Sequence, residues 1–237
     1  MIRHRFVPLL LVLSLLTLGA AAQQAPAARV IDLKASDGTL LKATYFAAAK
    51  SGPGVLLLHQ CNRQRKVWDD LAGHLASAGI NVLTFDLRGF GESGGTPFDK
   101  LTPPEHAQVE AEKYPGDVDT ALQYLVSQPG VTKDVIGVGG ASCGVDNSIQ
   151  AARRHRAEVK SLVLLSGGTD LAGRQFLRQE SQLPELFAMA DDDNSAPQWR
   201  SRPGSSVSPR TPARNLFTTP KEGTEPTCSQ FTLNCAM

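Results

Sequence analysis

One stretch of the sequence sets a potential nucleophile among small residues: Gly140-Ala141-Ser142-Cys143-Gly144. The pattern G-x-S-x-G is short, so its meaning depends on context. An apolar run suited to a strand, Val135 to Gly139, precedes it, and helical spacing from Val145 to His155 follows. A chain that turns sharply from strand to helix needs small neighbours and holds the serine in a strained conformation. Its oxygen is then exposed at a helix N-terminus, where the dipole favours a developing anion. Ser142 reads as a nucleophile on such an elbow; a plain glycine turn is the competing reading. Cys143 is a second nucleophile candidate, but Val145 would then occupy a position where the helix packs closely, so Ser142 is preferred.

Three other strand ends carry polar residues. His59-Gln60-Cys61 closes one run, and the backbone N–H of Cys61 can join that of Cys143 as a two-donor oxyanion hole. His59 itself reads as a loop-bracing residue rather than a base. Asp86-Leu87-Arg88-Gly89-Phe90-Gly91-Glu92-Ser93 closes the next, and an Asp86–Arg88 arrangement would brace that loop. Ala190-Asp191-Asp192-Asp193 closes the last, where an acid would orient a catalytic histidine and stabilise its imidazolium. Asp193 is the first choice and Asp192 the alternative; a solvated acidic turn is the competing reading.

The elements that must position these residues alternate. Val30 to Ala35 and Leu40 to Phe46 read as strands joined by a turn at Asp37-Gly38. Gly54 to His59, Asn81 to Asp86, Val135 to Gly139, Val159 to Ser166 and Leu186 to Ala190 read as further strands. Helical spacing appears at Trp68, Leu71, Ala72 and Leu75, and again at Val118, Ala121, Leu122 and Leu125. Alternation at this spacing predicts an α/β fold with a doubly wound, mostly parallel sheet and an antiparallel edge made by the first two strands. In such sheets chemistry sits beyond the carboxyl ends of the strands, where these motifs lie.

The chain has 237 residues, with 24 Lys and Arg against 23 Asp and Glu, a formal net charge of +1. That balance argues against a nucleic-acid partner held through phosphates. Four cysteines are too few for a disulfide scaffold. Arg3, His4 and Arg5 precede an apolar run from Phe6 to Leu18, and Ala20-Ala21-Ala22 fits a cleavage site before Gln23. Residues 1–22 therefore read as a signal peptide, and the mature chain is expected to be exported, periplasmic or secreted, with no stable membrane span. An uncleaved anchor is the alternative.

These residues together give the chain a family likeness. The stretch from about 28 to 196 resembles the α/β-hydrolase superfamily, on Gly140–Gly144, His59-Gln60-Cys61, the Asp86–Ser93 run and Ala190–Asp193. Within it, the compact arrangement is similar to the dienelactone-hydrolase-like and small serine esterase or peptidase branches. The resemblance implies a triad in the order serine, acid, histidine, an acyl-enzyme, and cleavage of an ester, thioester or amide in a small-molecule carbonyl substrate. It implies no metal and no organic cofactor. It also implies one more strand, a histidine loop and a closing helix after the acid. An elbow facing the Cys61 turn would bring Cys61 near Cys143, and a bridge is feasible if their Cα atoms lie within about 7 Å.

The histidines are His4, His59, His74, His106 and His155, and none follows the acid. His106 is expected in a loop after Pro103-Pro104, and His155 at the end of the helix after the elbow. The 41 residues from Pro197 hold 6 of the 15 prolines and 11 serines and threonines, without alternation or helical period. Residues 23–196 are thus expected to form the hydrolase domain, lacking its last strand and helix, and 197–237 a disordered or frameshifted tail. Reading the codons of Lys221 to Cys228 one frame over permits Gly-Gly-His-Gly-Thr-Asp-Met, a histidine loop. Two functions follow: an exported serine hydrolase impaired by the absent histidine, or a non-catalytic ligand-binding protein on the same fold. Acyl transfer to an alcohol is a third. Resequencing the gene checks the shift, which is expected between about Asp193 and Arg214. An unambiguous read with no histidine loop in another frame overturns it.

Overall fold

The computed structural model describes residues 28–189. The expected signal segment, Asp192, Asp193 and the expected tail lie outside the described residues. One 7-stranded sheet is built from β1 (Arg29–Lys34), β2 (Leu40–Phe46), β3 (Gly52–Leu58), β4 (Asn81–Phe85), β5 (Val131–Ala141), β6 (Val159–Leu165) and β7 (Glu185–Ala188). The order is β1-β2-β4-β3-β5-β6-β7. β2 pairs antiparallel with both β1 and β4, and every other pair is parallel. The expected mostly parallel sheet with an antiparallel edge is therefore present.

The helices are α1 (Asp69–Ser77), α2 (Pro103–Glu112), α3 (Tyr114–Ser127), α4 (Cys143–Arg154) and α5 (Leu171–Gln179). Two-residue alternation sorts the strand side chains onto two faces. Leu56 and Leu58 of β3, Leu83 and Phe85 of β4, and Leu162 and Leu164 of β6 face the larger core, with Val118, Leu122 and Leu125 of α3, Val145 and Ile149 of α4, and Phe176 and Leu177 of α5. Leu57 and Val82 face the other way, onto Trp68, Ala72 and Ala76 before and within α1. The strands are thus apolar on both faces, as buried parallel strands must be. Among the described residues no strand lies beyond β7, and Leu186 on that edge strand is exposed. No described helix is long and apolar enough to cross a membrane.

Two helices differ from the sequence expectation. The segment around His106 is not a loop but α2, opened by Thr102 and Glu105 in a reciprocal capping box with Pro103 in its first turn. It buries no residue, so it lacks the apolar stripe that betrays other helices. α5 separates β6 from β7 and starts where the Asp170 carboxylate accepts from the Gly173 N–H at 2.6 Å. β5 also begins earlier than expected, because the exposed residues 132–135 pass through an irregularity in its pairing with β3.

Leu58 is fully buried and Leu186 is 44% exposed. Leu58→Ala is expected to cost about 2–5 kcal/mol, and Leu186→Ala to stay within about 0.5 kcal/mol. Urea denaturation measures both; equal losses would overturn the assignment of the central strand to the core.

Candidate active site

Parallel strands bring the chemistry-bearing turns to one edge. β3 and β5 are neighbours, paired as far as Leu58 opposite Gly140. Just beyond that rung, Ser142 has φ 52° and ψ −119°, a left-handed conformation unusual for a residue with a side chain. It is exposed, and it immediately precedes α4. The strain is held from both sides: Ser142 N–H donates to the Leu165 carbonyl of β6 at 2.9 Å, and its own carbonyl accepts from Val145 N–H at 2.9 Å. A Cβ at Gly140 would overlap the Gly144 backbone, and one at Gly144 would overlap the Leu58 carbonyl. These two glycines let α4 descend onto the ends of β3 and β5. Ser142 therefore sits directly at the N-terminus of α4.

Cys143 opens α4, and Cys61 lies in the turn after β3. The two are joined by a disulfide, with Cα atoms 5.8 Å apart. The bridged sulfur of Cys143 is not a free thiol, which removes it as the nucleophile in this state. Among the described residues, neither the Cys61 nor the Cys143 amide donates a hydrogen bond.

His59 is fully buried and both ring nitrogens are committed. Nε2 accepts from Leu87 N–H at 3.0 Å, which leaves Nδ1 to donate to the Gln60 carbonyl at 2.8 Å. The ring therefore ties the end of β3 to the end of β4 as a neutral tautomer. Burial pushes its imidazole below the ordinary value, against smaller opposing contributions from the Gln60 carbonyl and Asp86. Phe90 meets the ring edge-on at 5.1 Å.

The expected Asp86–Arg88 pair does not form. Asp86 is fully buried and pairs with the buried guanidinium of Arg65; it also accepts from the Arg65 and Glu92 N–H groups at 2.6 and 3.0 Å. Arg88 turns the other way, gripping Asp117 of α3 through two bonds of 2.7 and 2.6 Å and Asp37 of the β1–β2 turn at 2.7 Å. Arg88 holds the Asp37 carboxyl well below the usual carboxylate range. Both residues brace loops, but through partners distant in sequence. Arg65 is the functional residue that sequence reasoning missed. It sits in Asn62-Arg63-Gln64-Arg65-Lys66, where nothing local separates the one buried cation from its solvated neighbours.

No described histidine is bonded to Ser142. His74 is exposed on α1 and bonds the Asp70 carbonyl. His106 donates from Nε2 to the Phe98 carbonyl at 2.7 Å and stacks on the Phe98 ring at 4.0 Å. His155 pairs with Asp119 at 2.9 Å, at the far end of the 12-residue α4, about 18 Å along the helix from its start.

A histidine buried neutral gives pH-dependent stability of definite sign. The unfolded ring takes up a proton below about pH 6.5, and the folded ring resists it. The His59 contribution is therefore complete above that value and is lost as pH falls through it toward the lower folded value. Thermal melts from about pH 7.5 to about pH 5.5 should show the parent chain losing stability more steeply than His59→Gln. Parallel slopes would overturn this assignment.

Comparison with known proteins agrees with this architecture. Residues 50–207 match the family model for serine aminopeptidase, S33. The thiohydrolase aneE of Aspergillus aculeatus is 31% identical over 117 residues, covering 49% of this chain and 34% of its own length. The acyltransferase drtE of Aspergillus calidoustus is 30% identical over 184 residues, covering 70% of this chain and 56% of its own. The chain thus spans between a third and just over half of these curated relatives. A dienelactone hydrolase-like promiscuous phosphotriesterase, P91 from metagenomic libraries, superposes with a TM-score of 0.54 at 18% identity, over 70% of this chain and 68% of its own. That likeness is one of fold alone. With more than half of its residues matched by the family model, and with this sheet order and strand-to-helix serine turn, the chain belongs to the serine aminopeptidase (S33) family of α/β hydrolases.

Proposed function

We propose that the chain is an exported serine hydrolase acting on an ester, thioester or amide of a small carbonyl compound. Ser142 attacks the carbonyl carbon. The Cys61 and Cys143 amides receive the developing oxyanion, and collapse of the tetrahedral intermediate expels the leaving group and forms the acyl-enzyme. Asp193, with Asp192 as the alternative, is the acid that follows β7. One observation carries this reading: an exposed serine is held at positive φ on the carboxyl end of a central strand, at the start of α4. The relatives named a thiohydrolase and an acyltransferase support acyl chemistry. The apolar leader and the Cys61–Cys143 bridge support export to an oxidising compartment.

The serine proton must also go somewhere. The described histidines are committed elsewhere, and no histidine follows His155 in the sequence. Acylation then relies on solvent or buffer as the proton acceptor, and turnover falls by orders of magnitude, leaving the residual rate that the oxyanion donors and binding supply. The same observation favours a second reading, a ligand-binding protein that holds a carbonyl compound without turning it over.

A fluorophosphonate probe separates the two. Slow labelling that is abolished in Ser142→Ala and accelerated by added imidazole is expected of an elbow lacking its base. Labelling that persists in Ser142→Ala would overturn the nucleophile assignment. An unlabelled parent chain that still binds a ketone analogue of a short ester would make the chain a binding protein.

A further inference from the structure

Resting on the reading of Ser142 as the nucleophile, we infer that the Cys61–Cys143 disulfide positions the oxyanion hole: it sets the spacing of the two amide donors, and the competence of the hole follows the redox state of this pair.

The argument starts from register. β3 and β5 are hydrogen-bonded neighbours whose pairing runs to Leu58 opposite Gly140. Each cysteine stands three residues beyond its member of that rung, and the sequence separation of the pair is 82. Past the rung the two backbones leave the sheet differently, one into a turn and the other through the Ser142 elbow into α4. Among the described residues, no backbone hydrogen bond joins Gln60 or Cys61 to residues 142–146. The disulfide is the covalent tie where the ladder has ended.

The two sides differ in their other restraints. Cys143 belongs to a helix packed through Gly144 against the Leu58 carbonyl, and the Ser142 amide is tied to Leu165. Cys61 lies in a turn whose ends are fixed by the His59 ring and by Arg65 on Asp86. Between those anchors, Arg63 and Gln64 are exposed, and the Arg63 amide donates to the Gln60 carbonyl at 3.0 Å within the same turn. Opening the bridge therefore releases the Cys61 side, and with it one of the two donors. The chemistry is a two-electron reduction: a dithiol supplies two electrons and two protons, two cysteine thiols form, and the dithiol becomes a disulfide. Reoxidation restores the tie.

A disulfide that merely staples the fold would act on the whole sheet, and this difference gives the test. The full chain is compared oxidised, treated with dithiothreitol, reoxidised, and as the Cys61→Ser/Cys143→Ser variant. Amide hydrogen exchange is followed by peptide mass spectrometry, and the fluorophosphonate reaction is resolved into probe affinity and labelling rate. Reduction is expected to speed exchange in residues 60–64 about tenfold or more, with β3 and β5 unchanged. It should also slow Ser142 labelling at saturating probe by about tenfold or more, approaching the 10²–10³ that loss of an oxyanion donor costs. Affinity should stay within about twofold, and reoxidation, but not treatment of the variant, should restore the rate. Unchanged exchange in residues 60–64, a uniform rise across the sheet, an unchanged labelling rate, or a thiol titration finding both cysteines free in the untreated chain would each overturn the inference. An unlabelled Ser142 in every state would instead sink the hydrolase reading, while the exchange data still decide whether the bridge holds the turn.

Discussion

The descent of α4 onto the ends of β3 and β5 is the constraint on which the site depends. It requires that positions 140 and 144 carry no side chain, because a Cβ at either would overlap backbone. It also forces Ser142 into a left-handed conformation, at a local cost of about 1–3 kcal/mol. That cost is offset by the packing it permits: Val145, Ile149, Ala151 and Ala152 of α4 are buried, and the serine amide continues the β5–β6 ladder through Leu165. The same descent brings Cys143 beside Cys61, so strain, helix N-terminus and disulfide follow from one close approach. The turn after β6 joins it, since Ser166 is, among the described residues, the other non-glycine residue at positive φ and a Cβ at Gly167 would overlap the Ser142 carbonyl.

A second layer fixes the loops around that turn by polar contacts, the innermost of them the fully buried Asp86 with Arg65 and His59. Asp86 receives the Arg65 side chain and backbone and the Glu92 backbone, while Ser93 Oγ donates to the Asp86 carbonyl and accepts from Lys42 N–H. His59 links β3 to β4, and Arg88 links the next loop to α3 and the β1–β2 turn. A buried ion pair adds little net stability once desolvation is counted, yet removing one partner strands the other charge. The value of this layer is therefore geometric. It fixes the ends of these turns, and the turn bearing Cys61 is anchored at both flanks.

Positioning and proton transfer are separable in this fold. The serine and the helix N-terminus are set by the central strands and the first turn of α4. The proposed acid, Asp193, follows β7 in the sequence and so belongs to neither of these. A chain can thus present a formed elbow while its four described histidines serve other ends: a strand tie, a helix surface, an aromatic stack and a helix-end ion pair.

Much of this was legible in the sequence. Short apolar runs and turn signals marked all seven described strands, with β2 at its observed bounds, and helical periodicity marked three of the five described helices, because apolar residues recur locally in those elements. The helix bearing His106 was not marked by periodicity, since it buries nothing; its Thr102–Glu105 box was the available signal. Gly140-Ala141-Ser142-Cys143-Gly144 announced a strained turn because steric exclusion at a glycine is a local property. Partnerships were another matter. That Asp86 takes Arg65 and not Arg88, and that Arg88 takes Asp117 and Asp37, depends on which loops the sheet order brings together. The sequence by itself determined the strands, the helices with an apolar stripe, the alternating architecture and the position of the elbow, all of which rest on spacing and sterics within a few residues. Only the tertiary structure decided who pairs with whom, including Cys61 with Cys143 across 82 positions, because charge pairing and covalent bridging act through distances in space that a linear chain does not display.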